Sequence, residues 1–211
     1  MKQLKVYLAD DHLLIREGLK KILSTEKEFI VVGESGNPDE VIDFFNNNDA
    51  DILILDLNMP GRSGLDVLKL VKKIKPDTKI LILSMYPEDQ FAERTIIAGA
   101  SGYITKESAS EELMKALHKI AKGGNYVSNS FAEKLLFKKK SVPYQKPHEI
   151  LSDREFQIMI LLAQGKTQVE ISNELALSTS TVNTYRSRIL EKLNLKSNAE
   201  IIRYAIQNKL I

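Results

Sequence analysis

Cysteine is absent from all 211 residues. That absence excludes disulfides, thiolate metal sites and cysteine nucleophiles, and it suits a cytoplasmic setting. Long apolar runs are missing too: nowhere are there the roughly 18 consecutive apolar residues that a membrane-spanning helix requires. The first residues run straight into Leu4-Lys5-Val6-Tyr7-Leu8-Ala9-Asp10, without the apolar core and cleavage site of a secretion signal. A soluble, cytoplasmic protein with no membrane partner is expected. A dominant charge is also lacking, since the net formal charge is only +2. Divided along the chain, however, residues 1–130 carry −3 and residues 131–211 carry +5. A basic back half behind an acidic front half suggests that the back half meets a polyanion.

What is present is ordinary for a globular protein, with 43% hydrophobic and 27% charged residues. The length admits one or two domains. Short, nearly continuous apolar runs at Leu4–Ala9, Phe29–Gly33, Ile52–Leu55, Ile80–Leu83 and Gly102–Thr105 read as strands buried on both faces. Helix-period segments separate them at His12–Ser24, Pro38–Asn47, Leu65–Ile74, Glu88–Ala98 and Ser110–Lys122. Five such strand–helix units predict an α/β domain of flavodoxin-like, doubly wound type, with a five-stranded parallel sheet. Its ligand site belongs at the carboxyl ends of the strands. We expect this domain over residues 1–124, a linker over 125–148 and a small all-α domain over 149–211. In the linker, Lys138-Lys139-Lys140, Pro143 and Pro147 read as exposed chain, with room for a helical turn or two in Phe131–Phe137.

The chemistry of the first domain concentrates at that carboxyl edge. Asp10 and Asp11 follow the first strand and Asp56 ends the third, strands that are neighbours in a doubly wound sheet. Three converging carboxylates repel one another unless a cation is bound or a pKa rises. An all-oxygen set favours Mg²⁺. A divalent ion beside a carboxylate prepares it to accept a phosphoryl group, because it neutralises charge on the transferring oxygens. Ser84 ends the fourth strand, Lys106 follows the fifth and Tyr103 lies within it, at an edge where a hydroxyl and an ammonium could bind phosphoryl oxygens on Asp56.

Ala9-Asp10-Asp11-His12, Asp56-Leu57-Asn58-Met59-Pro60-Gly61, Leu83-Ser84-Met85 and Gly102-Tyr103-Ile104-Thr105-Lys106 together resemble the receiver domains of two-component response regulators. The resemblance implies that Asp56 takes phosphate from a sensor histidine kinase. It implies that Asp11, Asp56 and the backbone carbonyl of Asn58 hold Mg²⁺, with Asp10 alongside, and that Lys106 pairs with the phosphoryl group. Ser84 and Tyr103 resemble the switch pair, in which the hydroxyl moves toward phosphate and the ring turns inward. Gly61 and Gly64 resemble backbone devices of the loop after the acceptor. Many receivers have proline after the lysine; Glu107 stands there instead. A phosphohydrolase of the haloacid dehalogenase type would need a second Asp two residues after the nucleophile. That place holds Asn58, which is no proton-transfer group near neutral pH. Beyond self-phosphorylation from a phosphodonor, no enzyme activity is expected.

In the back half, Ser152 and Glu155 form a capping-box pattern that opens a helix over Asp153–Gln164. Helices at Gln168–Glu174 and Thr179–Leu193 are joined by a brief turn, and another follows at Asn198–Asn208. Two short helices joined so tightly match a helix-turn-helix, whose second helix enters the major groove of double-stranded DNA. Val182, Ile189 and Leu193 share an apolar face, leaving Asn183, Thr184, Ser187 and Arg188 outward. The string Leu151-Ser-x-Arg154-Glu155, Ala163-x-Gly165-Lys166, Glu170-Ile171-Ser172, Leu175-x-Leu177-Ser178, Thr181-Val182 and Ile189-x-x-Lys192-Leu193 resembles the NarL/LuxR type of transcription-factor domain. By that resemblance Asn183, Thr184 and Ser187 face the groove, while Arg186, Arg188 and Lys192 meet phosphates. The last helix, with Ile201, Ile202 and Ala205, resembles a dimerisation helix, implying a homodimer on DNA. Tyr185, where histidine is common, and Asn198-Ala199-Glu200, where Arg-Thr-Glu is common, put operator preference apart from the usual pattern. The expected function is a transcription factor switched by phosphate on Asp56. Its alternatives are a phosphorylation-gated protein binder and a DNA binder indifferent to phosphate.

Overall fold

The computed structural model describes residues 3–138 and 146–211. The chain divides into two compact units, Met1–Lys138 and Lys139–Ile211. Among the described residues no helix is long and apolar enough to cross a membrane.

The first unit alternates β1 (Leu4–Ala9), α1 (Leu13–Leu23), β2 (Phe29–Ser35), α2 (Pro38–Asn47), β3 (Ile52–Leu55), α3 (Gly64–Ile74), β4 (Lys79–Ser84), α4 (Glu88–Ile97), β5 (Gly102–Thr105) and α5 (Ala109–Ala121). The sheet is wholly parallel with strand order β2-β1-β3-β4-β5. Period-two alternation sorts its side chains into two cores. Val6, Leu8, Ile52 and Ile54 pack with Leu19, Leu23, Leu113 and Leu117 of α1 and α5. Tyr7, of opposite parity, packs its ring at a tilt on Phe44 and edge-on against Phe45 of α2. Every residue of β3 is buried, as a central strand covered on both faces must be.

The strands and helices fall where the pattern placed them, with differences only at their ends. Strand β2 runs on to Ser35, which pairs with Ala9, and β4 gains Lys79 and Ser84, the latter paired with Thr105. Polar residues at strand ends escape an apolar-run reading because the backbone ladder, not the side chain, holds them.

The expected linker differs more. Tyr126 pairs with Gly102 beside β5, and a ten-residue helix, α6, spans Asn129–Lys138 and closes the first unit. Ser128 starts it, its hydroxyl accepting from the amide of Phe131 at 3.1 Å. Residues 139–145, with most of the lysine run and Pro143, lie outside the described residues.

The second unit opens with one 3₁₀ turn at Pro147–Ile150 and continues with α7 (Asp153–Ala163), α8 (Gln168–Glu174), α9 (Thr179–Leu193) and α10 (Asn198–Gln207). Helix α7 packs against the other three. Its expected capping box is present, and Thr167 with Glu170 forms a second one at α8. Helix α9 ends on Asn194 in the left-handed conformation, φ 53°, which asparagine tolerates better than most residues.

One expectation is corrected here. Ile201 and Ala205, assigned to a dimer surface, are fully buried on the face of α10 that packs within the unit. Their i, i+4 spacing makes them a core stripe. Of the three residues expected to pair, only Ile202 is partly exposed, and the strongly exposed apolar residue of α10 is Ile206.

Candidate functional site

The ladder between β1 and β3 continues one rung past the strands, as the amide of Asp56 donates to the carbonyl of Ala9 at 2.8 Å. That rung sets Asp10 and Asp56 side by side, both buried. Lys106, just past β5, reaches both: its ammonium lies 2.7 Å from Asp10 Oδ2 and 2.7 Å from Asp56 Oδ2. It donates along a good line only to Asp56, so Asp10 Oδ2 has the charge but no directed donor. The backbone amide of Asn58 donates to Asp56 Oδ1 at 3.0 Å.

The loop after Asp56 is shaped by two glycines. Gly61 adopts φ +86°, a region that side chains disfavour. Gly64 lies so close to the carbonyl of Asp56 and to Leu57 that a Cβ would collide with backbone.

Two buried carboxylates face one ammonium, and the electrostatics show the imbalance. Burial pushes the Asp56 carboxyl up to about 6; the Lys106 ammonium opposes that rise and the Asp10 carboxylate adds to it. Burial alone would lower the Lys106 ammonium, yet Asp56 and Asp10 outweigh it and hold the group above its usual range.

Asp11 and His12 stand at the exposed rim. The imidazole Nδ1 lies 2.7 Å from Asp11 Oδ1 and 3.2 Å from Asp10 Oδ1. One ligand atom from each of Asp10, Asp11, His12 and Asp56 falls within 4.8 Å of the others. Uncompensated negative charge and clustered oxygens fit a hard divalent cation. Below the pair, Arg16 donates to the Asp10 carbonyl at 2.6 Å. Sequence reasoning missed His12 and Arg16, although His12 directly follows the aspartates.

Ser84 and Tyr103 meet through a third residue. Ser84 Oγ accepts from the Tyr86 amide at 3.1 Å, and Tyr103 Oη donates to the Tyr86 carbonyl at 2.7 Å. The Tyr103 ring is already turned inward and buried, so the inward turn that the resemblance implied is not left for phosphate to drive, and burial raises its hydroxyl pKa well above the usual range.

On the second unit, Asn183, Thr184, Ser187 and Arg188 are exposed along one side of α9. Thr184 donates its hydroxyl back to the Ser180 carbonyl at 3.0 Å, and the Arg188 guanidinium lies 6.0 Å over the Tyr185 ring. The other two expected phosphate contacts, half-buried Arg186 and exposed Lys192, are bonded to side chains of their own unit. Arg186 Nε donates to Asn198 Oδ1 at 2.6 Å, and Lys192 Nζ donates to the buried Glu155 carboxylate at 2.7 Å. Five of the six expected DNA residues are thus exposed and Arg186 is half-buried, while Arg186 and Lys192 are the two engaged with side chains of other helices.

Comparison with known proteins agrees with both halves. Residues 6–118 match the model of the response regulator receiver domain, and residues 149–205 match that of bacterial regulatory proteins of the luxR family. This chain belongs to the response regulators. It is 33% identical over 208 residues to the response regulator UvrY of Escherichia coli K12, covering 98% of this chain and 95% of UvrY. It is 34% identical over 215 residues to the oxygen regulatory protein NreC of Staphylococcus carnosus, covering 99% of each. Among solved structures it resembles RcsB from Salmonella enterica serovar Typhimurium, bound to the promoter rprA in the presence of the phosphomimetic BeF3⁻. That match has TM-score 0.66 and 27% identity, and it covers 96% of this chain and 98% of RcsB. The chain is therefore a response regulator with a LuxR-type DNA-binding domain. Receiver domains generally use Mg²⁺, and this response regulator carries the acidic cluster of Asp10, Asp11 and Asp56.

Proposed function

We propose that Asp56 accepts a phosphoryl group from the phosphohistidine of a sensor histidine kinase, and that the phosphorylated protein binds promoter DNA as a homodimer to control transcription. The observation that carries this reading is the shared contact of Lys106 with Asp56 and Asp10 at the carboxyl edge. In the transfer, the P–N bond to the kinase histidine breaks, its electron pair returning to the imidazole, as a bond forms from an Asp56 carboxylate oxygen to phosphorus. Lys106 holds a positive charge beside the incoming oxygens, and Ser84 ends the neighbouring strand with a hydroxyl to offer them. Asp11, Asp56 and the Asn58 carbonyl, with Asp10 alongside, would hold Mg²⁺, which would neutralise charge on the transferring oxygens. The same residues serve self-phosphorylation from a small phosphodonor, and no further enzyme activity is assigned.

The functional division we propose is a receiver over 1–124, a linking segment over 125–148 and a DNA-binding domain over 149–211. Helix α9 enters the major groove, with Asn183, Thr184 and Ser187 toward base edges and Arg188 on phosphate. One such domain reads one half-site, so a symmetric operator calls for two. The RcsB complex, formed with promoter DNA in the presence of a phosphomimetic, supports that order of events. The deciding experiment is mass spectrometry after incubation with acetyl phosphate and Mg²⁺. One phosphate should appear on the wild type and none on Asp56→Asn; a fully labelled variant would refute the assignment.

A further inference from the structure

The stretch just after α5 is fastened to the elements that flank the switch pair. Tyr126 lies along the outer edge of β5, donating its amide to the Ser101 carbonyl at 2.9 Å and accepting from the Tyr103 amide at 2.9 Å. Gly102, between those two bonds, leaves no room for a side chain: a Cβ there would lie 2.8 Å from the Tyr126 carbonyl oxygen. Two residues on, the amide of Ser128 donates to Glu88 Oε1 at 2.8 Å. Glu88 is the first residue of α4, and Ser128 is the residue from which α6 starts. A single carboxylate therefore joins the beginning of α4 to the beginning of the helix that leads out of the receiver.

That carboxylate lies two residues past Tyr86, on which Ser84 and Tyr103 converge. The contacts form a continuous chain. Lys106, held to Asp56, donates its amide to the Ser84 carbonyl at 2.8 Å. Ser84 Oγ holds the Tyr86 amide, and the Tyr86 carbonyl holds the Tyr103 hydroxyl. The Tyr103 amide is in turn bonded to Tyr126.

We propose that Glu88 is a latch: in the unphosphorylated protein it holds the root of α6 on α4, and phosphate on Asp56 opens it. The proposal rests on the phosphorylation reading above. A phosphoryl group on Asp56 presents new acceptor oxygens to the Ser84 hydroxyl. When that hydroxyl turns to them, the Tyr86 amide loses its partner and the short segment through Pro87 to Glu88 rearranges. A charged hydrogen bond is sensitive to alignment, so displacement at Glu88 releases the Ser128 amide. The start of α6 then loses its tie to α4 while keeping its Tyr126 attachment and the buried Phe131, and that release biases the pairing of two DNA-binding domains. This is a two-state element whose balance the phosphate biases.

Three full-length proteins test the latch: wild type, Glu88→Ala, and Glu88→Gln, which retains an acceptor oxygen. Each is measured with and without BeF3⁻ for hydrogen exchange at the Ser128 amide and for affinity to operator DNA. Acetyl phosphate labelling of Asp56 monitors the acceptor separately. Without BeF3⁻, the alanine variant should exchange Ser128 about tenfold or more faster than wild type. It should also bind DNA within a few-fold of BeF3⁻-treated wild type, while labelling at the normal rate. The glutamine variant should stay near wild type. If the wild type responds to BeF3⁻ but untreated Glu88→Ala matches untreated wild type in both exchange and affinity, the latch is wrong and the phosphorylation reading stands. A wild type whose DNA affinity ignores a fully occupied Asp56 overturns the phosphorylation reading itself.

Discussion

Lys192, near the end of the recognition helix α9, donates from its ammonium to the carboxylate of Glu155 at the start of α7, 2.7 Å away. The same carboxylate closes the capping box of α7 by accepting from the Ser152 amide at 2.8 Å. Burial alone would raise the Glu155 carboxyl, but the Lys192 and Ser152 hydrogen bonds hold it below its usual range. The pair, 37 residues apart in sequence, ties α9 to α7.

Loss of this carboxylate should weaken the second unit at neutral pH and make it less sensitive to acid. A carboxyl whose folded pKa is lowered stabilises above its unfolded value, 4.5, and loses that contribution as pH falls through the folded one. Denaturant titrations of Glu155→Gln at pH 7 should show a loss of about 1–3 kcal/mol, below the full cost for a buried pair because Lys192 is half-exposed. By pH 3 that gap should narrow. A constant gap across the range would contradict the linkage.

Salt should separate Lys192 from Arg188. Arg188→Ala should flatten the dependence of DNA affinity on salt by about one phosphate contact. Lys192→Ala should lower affinity through stability while leaving that slope unchanged. Equal flattening by both would return Lys192 to the DNA surface.

Groove reading should rest on Asn183. Asn183→Ala should cost roughly 1–3 kcal/mol on the operator and relax preference at one or two base positions. Measurement on operator and random duplexes in parallel checks this, because equal losses on both would place the residue on the backbone.

The acidic pocket should be destabilising when ionised. Burial raises the Asp56 carboxyl to about 6 from 3.8, so the folded state favours the proton. Stability from this group is complete below pH 3.8 and is lost as pH rises through about 6. Without Mg²⁺, Asp56→Asn should melt higher than wild type at pH 7.5, by an amount that vanishes toward pH 4. A lower melting point at pH 7.5 would refute the imbalance.

Metal binding should run through the rim. Asp11→Ala should remain folded, since removing one carboxylate relieves repulsion, but should bind Mg²⁺ weakly by calorimetry and label poorly at Asp56. Normal labelling would move the metal elsewhere.

The sheet and its chemical edge were legible because one periodicity reports both. Buried strands read as short apolar runs, and the residues ending them, Asp10, Asp56, Ser84 and Lys106, are held by strand geometry. The recognition helix was legible from Val182, Ile189 and Leu193 on its buried face. Helix α6 was not: the lysine run and prolines beyond it suggested open chain, and its anchor, Glu88 with Ser128, spans 40 residues without a local pattern. Sequence shows the charges of Lys192 and Arg186 but not the Glu155 and Asn198 side chains that they meet. Ile201 and Ala205 show the same limit from the apolar side, since a core stripe and a dimer stripe have identical spacing.

The rung between Asp56 and Ala9 has a consequence for time as well as place. Asp56, bonded one rung past β3, cannot shift its backbone without pulling on the fully buried central strand, and such core strands open only near global unfolding. Under the phosphorylation proposed above, the sheet would serve as a fixed bench on which the phosphoryl group is mounted. The parts free to answer it are rotamers and one short loop, whose motions take nanoseconds to microseconds. Switching of the receiver should then outpace phosphorylation and the search for DNA, so the duration of its signal is set by the lifetime of the aspartyl phosphate and not by any slow refolding of the protein that carries it.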